Sequence, residues 1–89
     1  MRRAARTDAN QQAIVDALRQ LGATVMPLHQ VGAGCPDLAV GWQGKTYLLE
    51  VKSPKGKLND IQHTWHRWWK GHACVVRSAD EAFEAIGAQ

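Results

Sequence analysis

The sequence predicts an α/β fold in which a small mixed β-sheet is flanked by helices, with elements in the order α-β-β-β-α-β-α. Three observations predict it. Apolar residues recur at helical spacing near the start of the chain and again after Asp60; two strand-like runs flank Gln43-Gly44-Lys45; and helix-opening signals stand at Asn59 and Ser78. With 89 residues there is room for one domain, 1–89. Folding at that size buries only about 60–65% of the unfolded chain's surface, so a partner subunit would help.

Ile14, Ala17, Leu18 and Leu21 mark a first helix over 8–21, with Thr7 or Asp8 as N-cap and Gly22 at its C-terminal end. Ala23–Leu28 reads as a short strand whose Pro27 argues for an edge or a strand end. Residues 29–36 form a loop. Asp37–Trp42 and Thr46–Lys52 are strands joined as a hairpin, with Gly44 where a positive φ is expected. Alternation in the second of these puts Tyr47, Leu49 and Val51 on one face and Leu48, Glu50 and Lys52 on the other. After the polar loop Ser53–Lys57, Asn59-Asp60-Ile61-Gln62 has the form of a capping box. Ile61, Trp65, Trp68 and Trp69 follow at helical spacing until Gly71, and these indoles are expected in the core or at a subunit interface. Ala73–Arg77 is a fourth strand. Ser78-Ala79-Asp80-Glu81 reads as a second capping box, opening a last helix with Ala82, Phe83, Ala85 and Ile86.

Apolar residues make up 45% of the chain and charged residues 21%, a globular composition that argues against disorder. The net charge of +3 understates the local field, because residues 1–77 hold eleven Lys/Arg against five Asp/Glu. Such a basic body suits a polyanion, nucleic acid above all. Cys35 and Cys74 have neither CxxC spacing nor the density of a secreted scaffold, so free thiols in a cytoplasm are expected. No apolar signal-peptide core follows Arg2 and Arg3, and no stretch approaches the roughly 20 apolar residues of a membrane span.

Asp37 and Glu50, thirteen positions apart, each stand in an apolar stretch, Asp37-Leu38-Ala39-Val40 and Tyr47-Leu48-Leu49-Glu50-Val51. Acids there need a reason, because an unpaired buried carboxylate is costly. Brought together on paired strands with the Lys52 amine, they form the set that metal-dependent phosphodiester hydrolysis requires.

Gly34-x-Pro36-Asp37-Leu38 entering one strand, Glu50-Val51-Lys52 in the next, and Leu58 with Gln62 opening the following helix resemble the PD-(D/E)xK nuclease superfamily. Within it, the match is to the virus-type replication-repair nuclease (VRR-NUC) domains, over nearly the whole chain. The resemblance implies a restriction-endonuclease-like core and a Mg²⁺ or Mn²⁺ cofactor held by Asp37, Glu50 and the backbone carbonyl of Val51. It gives Lys52 the task of positioning or deprotonating the attacking water and stabilising the charge of the transition state. It also brings Gln62 to the metal-bound water or the phosphate, a role that competes with completing the capping box. One position departs from the pattern. Where the superfamily usually has a further acid in the first helix, this chain has Asn10, with Asp8 as the alternative, so weaker metal binding is expected. Stand-alone relatives resemble Holliday-junction resolvases, which implies a branched DNA substrate and a homodimer. The alternative is a non-catalytic DNA-binding module with a degenerate site.

Lys55 and Lys57, directly after Lys52, are expected to touch phosphates, as is Arg6 in a basic N-terminal arm. His63 and His66 lack a third ligand at zinc-like spacing and are expected at the surface or on phosphate. Gly32-x-Gly34 is not followed by Gly-Lys-Ser/Thr and reads as a turn that presents Asp37.

Overall fold

In the computed structural model residues 4–88 are described, residues 4–8 by their backbone alone. The elements run α1 (Ala4–Leu21), β1 (Thr24–Pro27), β2 (Leu38–Trp42), β3 (Lys45–Val51), α2 (Asp60–Trp68), β4 (Ala73–Val76) and α3 (Ala79–Ala85), in the predicted order. The sheet order is β1-β2-β3-β4. The first two pairings are antiparallel and the third, across the α2 crossover, is parallel, so the sheet is mixed as expected.

The registers Val25↔Val40, Leu38↔Leu49 and Val51↔Val76 align the inward side chains of all four strands on one face. α1 and α3 cover that face, and Ile14, Leu18 and Ile86 meet Leu38, Val40, Leu49, Val51 and Val76 in the core. Each such side chain contributes about 1.5–3 kcal/mol by leaving water. Alternation assigns Met26, Ala39, Leu48, Glu50 and Val75 to the opposite face.

Several boundaries differ from expectation. α1 begins at Ala4, so Thr7 and Asp8 lie inside the helix rather than capping it. Ala4, Ala5 and Arg6 are strong helix formers, and the helix runs back through them past both capping candidates. β1 is shorter than Ala23–Leu28 by one residue at each end. Lys45 belongs to β3, and the hairpin turns on Gln43 and Gly44 alone, with φ of 50° and 80°. Positive φ at both central residues is what a two-residue turn needs to match the strand twist. At α3, Ser78 accepts the Glu81 N–H, but the Glu81 carboxylate takes the N–H of Arg77 at 2.8 Å, one residue before the cap, so the second capping box is incomplete.

The largest difference concerns α2, none of whose residues is buried. Trp65 stacks on Trp69 with ring centroids 4.9 Å apart and planes at 16°, while Trp68 is 64% exposed and Ile61 62%. The indoles are therefore not core. Helical periodicity shows that one face of α2 is apolar; it does not say what covers that face, and here Gln62, from a different face, is the residue that reaches the sheet.

Candidate active site

The β2–β3 ladder ends at Leu38↔Leu49. One step further, the Asp37 carboxylate takes the place of a backbone acceptor and Oδ2 receives the Val51 N–H at 2.7 Å. The Asp37 carbonyl meanwhile accepts the Leu28 N–H at 2.7 Å, which ties the start of β2 to the end of β1. Asp37 and Glu50 thus stand opposite each other where the paired strands part.

The loop that delivers Asp37 is pressed onto α2. Gly34 has φ +83°, and a Cβ there would lie 2.7 Å from the Ile61 carbonyl oxygen, so only glycine allows this approach. The same helix sends Gln62 to the carboxylates. Its Nε2 donates to Glu50 Oε2 at 3.2 Å, while its Oε1 accepts the Asn59 N–H at 3.0 Å and its own N–H reaches Asn59 Oδ1 at 2.9 Å. The capping box and the contact with the acid coexist, because a primary amide offers an acceptor to one and a donor to the other. The expectation that Gln62 serves one role at a time is corrected on that ground.

Glu50 is 2% exposed. Lys52 Nζ lies 3.7 Å from Oε2, on the same side as the alternation of β3 predicted. Oε1 is buried with no hydrogen-bond partner. Asn10, from α1, donates its Nδ2 to the Lys52 carbonyl at 3.1 Å and so joins the first helix to the end of β3.

No family model and no curated protein matches the sequence. Among solved structures, a chain described as a VRR_NUC domain superposes with a TM-score of 0.72, at 25% identity, over 89% of this chain and 91% of its own length. The chain has the fold of a VRR-NUC domain. That likeness supports a nuclease-family domain, and the order of the elements matches the neighbour's fold.

Burial pushes the Glu50 carboxyl up to about 8, helped by the charge of Asp37 and a hydrogen bond to it; Lys52 works in the opposite direction. Two acids facing each other, one of them buried, favour retention of a proton over two negative charges. Among the described residues no three His, Cys, Asp or Glu side chains gather as a ligand set. The donors available to a hard ion are therefore two carboxylates and backbone or amide oxygens, and the unpartnered Glu50 Oε1 fits such an ion.

Lys55 and Lys57 are exposed on the loop after β3. What steadies that loop is Arg77, whose Nη2 donates to the Gly56 carbonyl at 2.8 Å. Sequence reasoning assigned Arg77 only to a strand end, and no local pattern connects residues 21 positions apart. The Arg6 side chain lies outside the described residues. His66 is half-buried: its Nε2 is covered and without a partner, and burial, then the His63 charge, pushes its pKa down. No helix among the described residues is long and apolar enough to cross a membrane.

Proposed function

We propose that this VRR-NUC domain is a Mg²⁺- or Mn²⁺-dependent DNA endonuclease that uses water as nucleophile. The observation that carries the reading is Glu50: a carboxylate as buried as the core, with one oxygen unsatisfied, facing a second carboxylate. A fold keeps so costly a group for something it binds. Asp37, Glu50 and the Val51 carbonyl would hold the ion, with the Asn10 amide at its margin. Bound there, the ion would lower the pKa of a water and offset charge on the phosphate.

The remaining roles belong to the chain's own side chains. Lys52 places its amine beside the attacked phosphate: as the ammonium it orients the water and stabilises developing negative charge, and as the neutral amine it takes a proton from the water. Gln62 holds Glu50 Oε2 and keeps a polar contact for the phosphate. Lys55, Lys57 and Arg6 supply backbone contacts that carry no base specificity. With no basic recognition helix, selection is by DNA structure, and branched DNA such as a four-way junction is the first substrate to test. Symmetric cutting of two strands needs two sites, so a homodimer is the assembly this reading expects.

A second reading, a DNA-binding module without catalysis, is favoured by one observation: Asn10 brings no charge and spends its Nδ2 on the Lys52 carbonyl. Incubating the purified chain with four-way junction, flap and linear duplex DNA, in Mn²⁺, Mg²⁺ and EDTA, separates the two. Metal-dependent cleavage is expected, stronger with Mn²⁺, which accepts an amide ligand more readily. Binding without cleavage under every condition supports the second reading; cleavage that persists unchanged in EDTA removes the proposed chemistry.

A further inference from the structure

The loop and helix that build the carboxylate site also enclose an apolar groove of about 540 Å³. Val31 and Cys35 form one wall; Ile61, Trp65 and Trp68 form the other, with Asp60 at the same helix end. Groove and site are contiguous in the chain: Cys35 lies two residues before Asp37, and Ile61 adjoins Gln62, whose amide holds Glu50. The groove is open, with Val31, Ile61 and Trp68 each more than half exposed. So large an uncovered aromatic surface on a small domain marks something that docks there.

Three observations choose the occupant. From Lys52 through His72, both included, the chain carries five Lys/Arg and one acid, so the surroundings of the groove attract a polyanion. The acid is Asp60, which lines the groove itself; it repels a phosphate and accepts a hydrogen bond from the exocyclic amine of a base. The walls offer indole rings, onto which any base stacks by its π-face, and the volume is within the range of pockets that hold one small planar ligand. We propose that the groove receives an unstacked nucleobase of the DNA whose backbone lies at Asp37 and Glu50. The proposal rests on the nuclease reading and deepens it: the preferred substrate has an unpaired base next to the cut, as a branch point, bulge or single-stranded gap supplies. On this assignment the Trp-bearing face belongs to DNA, and a second copy pairs through another surface.

The test uses a duplex with one bulged 2-aminopurine and the same duplex fully paired, both in EDTA so that neither is cut. Wild type should bind the bulged DNA more tightly and quench 2-aminopurine emission. Trp68→Ala should weaken binding to the bulged DNA by between about 5- and 150-fold, the range measured for loss of one base–aromatic stack. Its affinity for the paired duplex and its sedimenting mass should stay as in wild type, and Trp68→Phe should recover most of the bulge preference. Trp68 is exposed, so its loss leaves the core intact, and quenching in wild type gives a readout that needs no variant. Equal weakening on both DNAs, no weakening on either, or conversion of a dimer to monomer by Trp68→Ala would overturn the assignment and, in the last case, give the groove to a second copy. A wild type that cuts branched DNA but shows no quenching defeats the inference alone. A wild type that binds neither DNA, in EDTA or Mn²⁺, defeats the nuclease reading and the inference with it.

Discussion

On one face of the sheet Leu38, Val40, Leu49 and Val51 lie against α1 and α3 in an apolar core. On the other face Glu50 is buried to the same degree, while Met26 on the edge strand is 59% exposed and α2 stands with no buried residue. The first face is organised to leave water. The second buries an ionisable carboxyl and exposes indoles, the reverse of what stability alone favours, and that inversion locates the site more sharply than any single residue does.

The most severe way to test the contrast is to remove the charged groups. Asp37→Ala, Glu50→Ala and Lys52→Ala should each lose at least about 10²-fold in cleavage rate on a four-way junction, as loss of a ligand or an electrostatic stabiliser does elsewhere. Binding of the same DNA should largely survive. A variant that cuts like wild type takes its residue out of the site. Leu18→Ala on the other face should do the opposite, costing about 2–5 kcal/mol in denaturant unfolding while the cleavage rate well below the melting temperature stays near wild type.

The packed face was legible because its signals are local: Ile14 and Leu18 repeat with the helix, and Leu49 and Val51 alternate with the strand. Asp37, Glu50 and Lys52 were legible because strand alternation and hairpin register bring them together without knowledge of the helices. The remainder depends on long-range geometry. Nothing within a few residues of Asn10 tells that its amide meets the Lys52 carbonyl, 42 positions away. Arg77 and Gly56 are as remote from a sequence pattern. The Trp residues were legible only as an apolar face of α2, because spacing defines a face and leaves its neighbour undefined; of the two places expected for them, the structure removes the core.

The buried carboxyl makes the two faces differ in their response to pH. Folded Glu50 holds its proton up to about pH 8, against an ordinary value of 4.5. A raised folded pKa gives stability that is present below the ordinary value and is lost as pH rises through the folded one. In EDTA, the stability of wild type should therefore fall relative to Glu50→Gln between about pH 5 and pH 8, by an amount on the order of a few kcal/mol across the window, and its melting temperature should fall with it. Mn²⁺ should reverse the fall at pH 8 and do little at pH 5, where it must displace a proton. Parallel melting curves for the two proteins across that range would show that Glu50 ionises as an ordinary surface acid.

The smallest effect, and the sharpest for the boundary between the faces, is at Asn10. Its Nδ2 bond to the Lys52 carbonyl ties a helix of the packed face to the strand end that bears Lys52. Asn10→Ala should lose about 0.5–1.5 kcal/mol of stability, the usual net worth of one such bond. Asn10→Glu loses the same donor and sets a carboxylate near a carbonyl, so it should be no more stable than Asn10→Ala in EDTA. It also restores the acid that related nucleases place in the first helix, so the Mn²⁺ concentration for half-maximal cleavage should fall. Stability and metal use then move in opposite directions at one residue, which a purely structural role for Asn10 does not produce. Should Asn10→Glu instead raise the Mn²⁺ requirement while Asp8→Ala abolishes cleavage, the metal draws its first-helix ligand from Asp8, and Asn10 serves the strand alone.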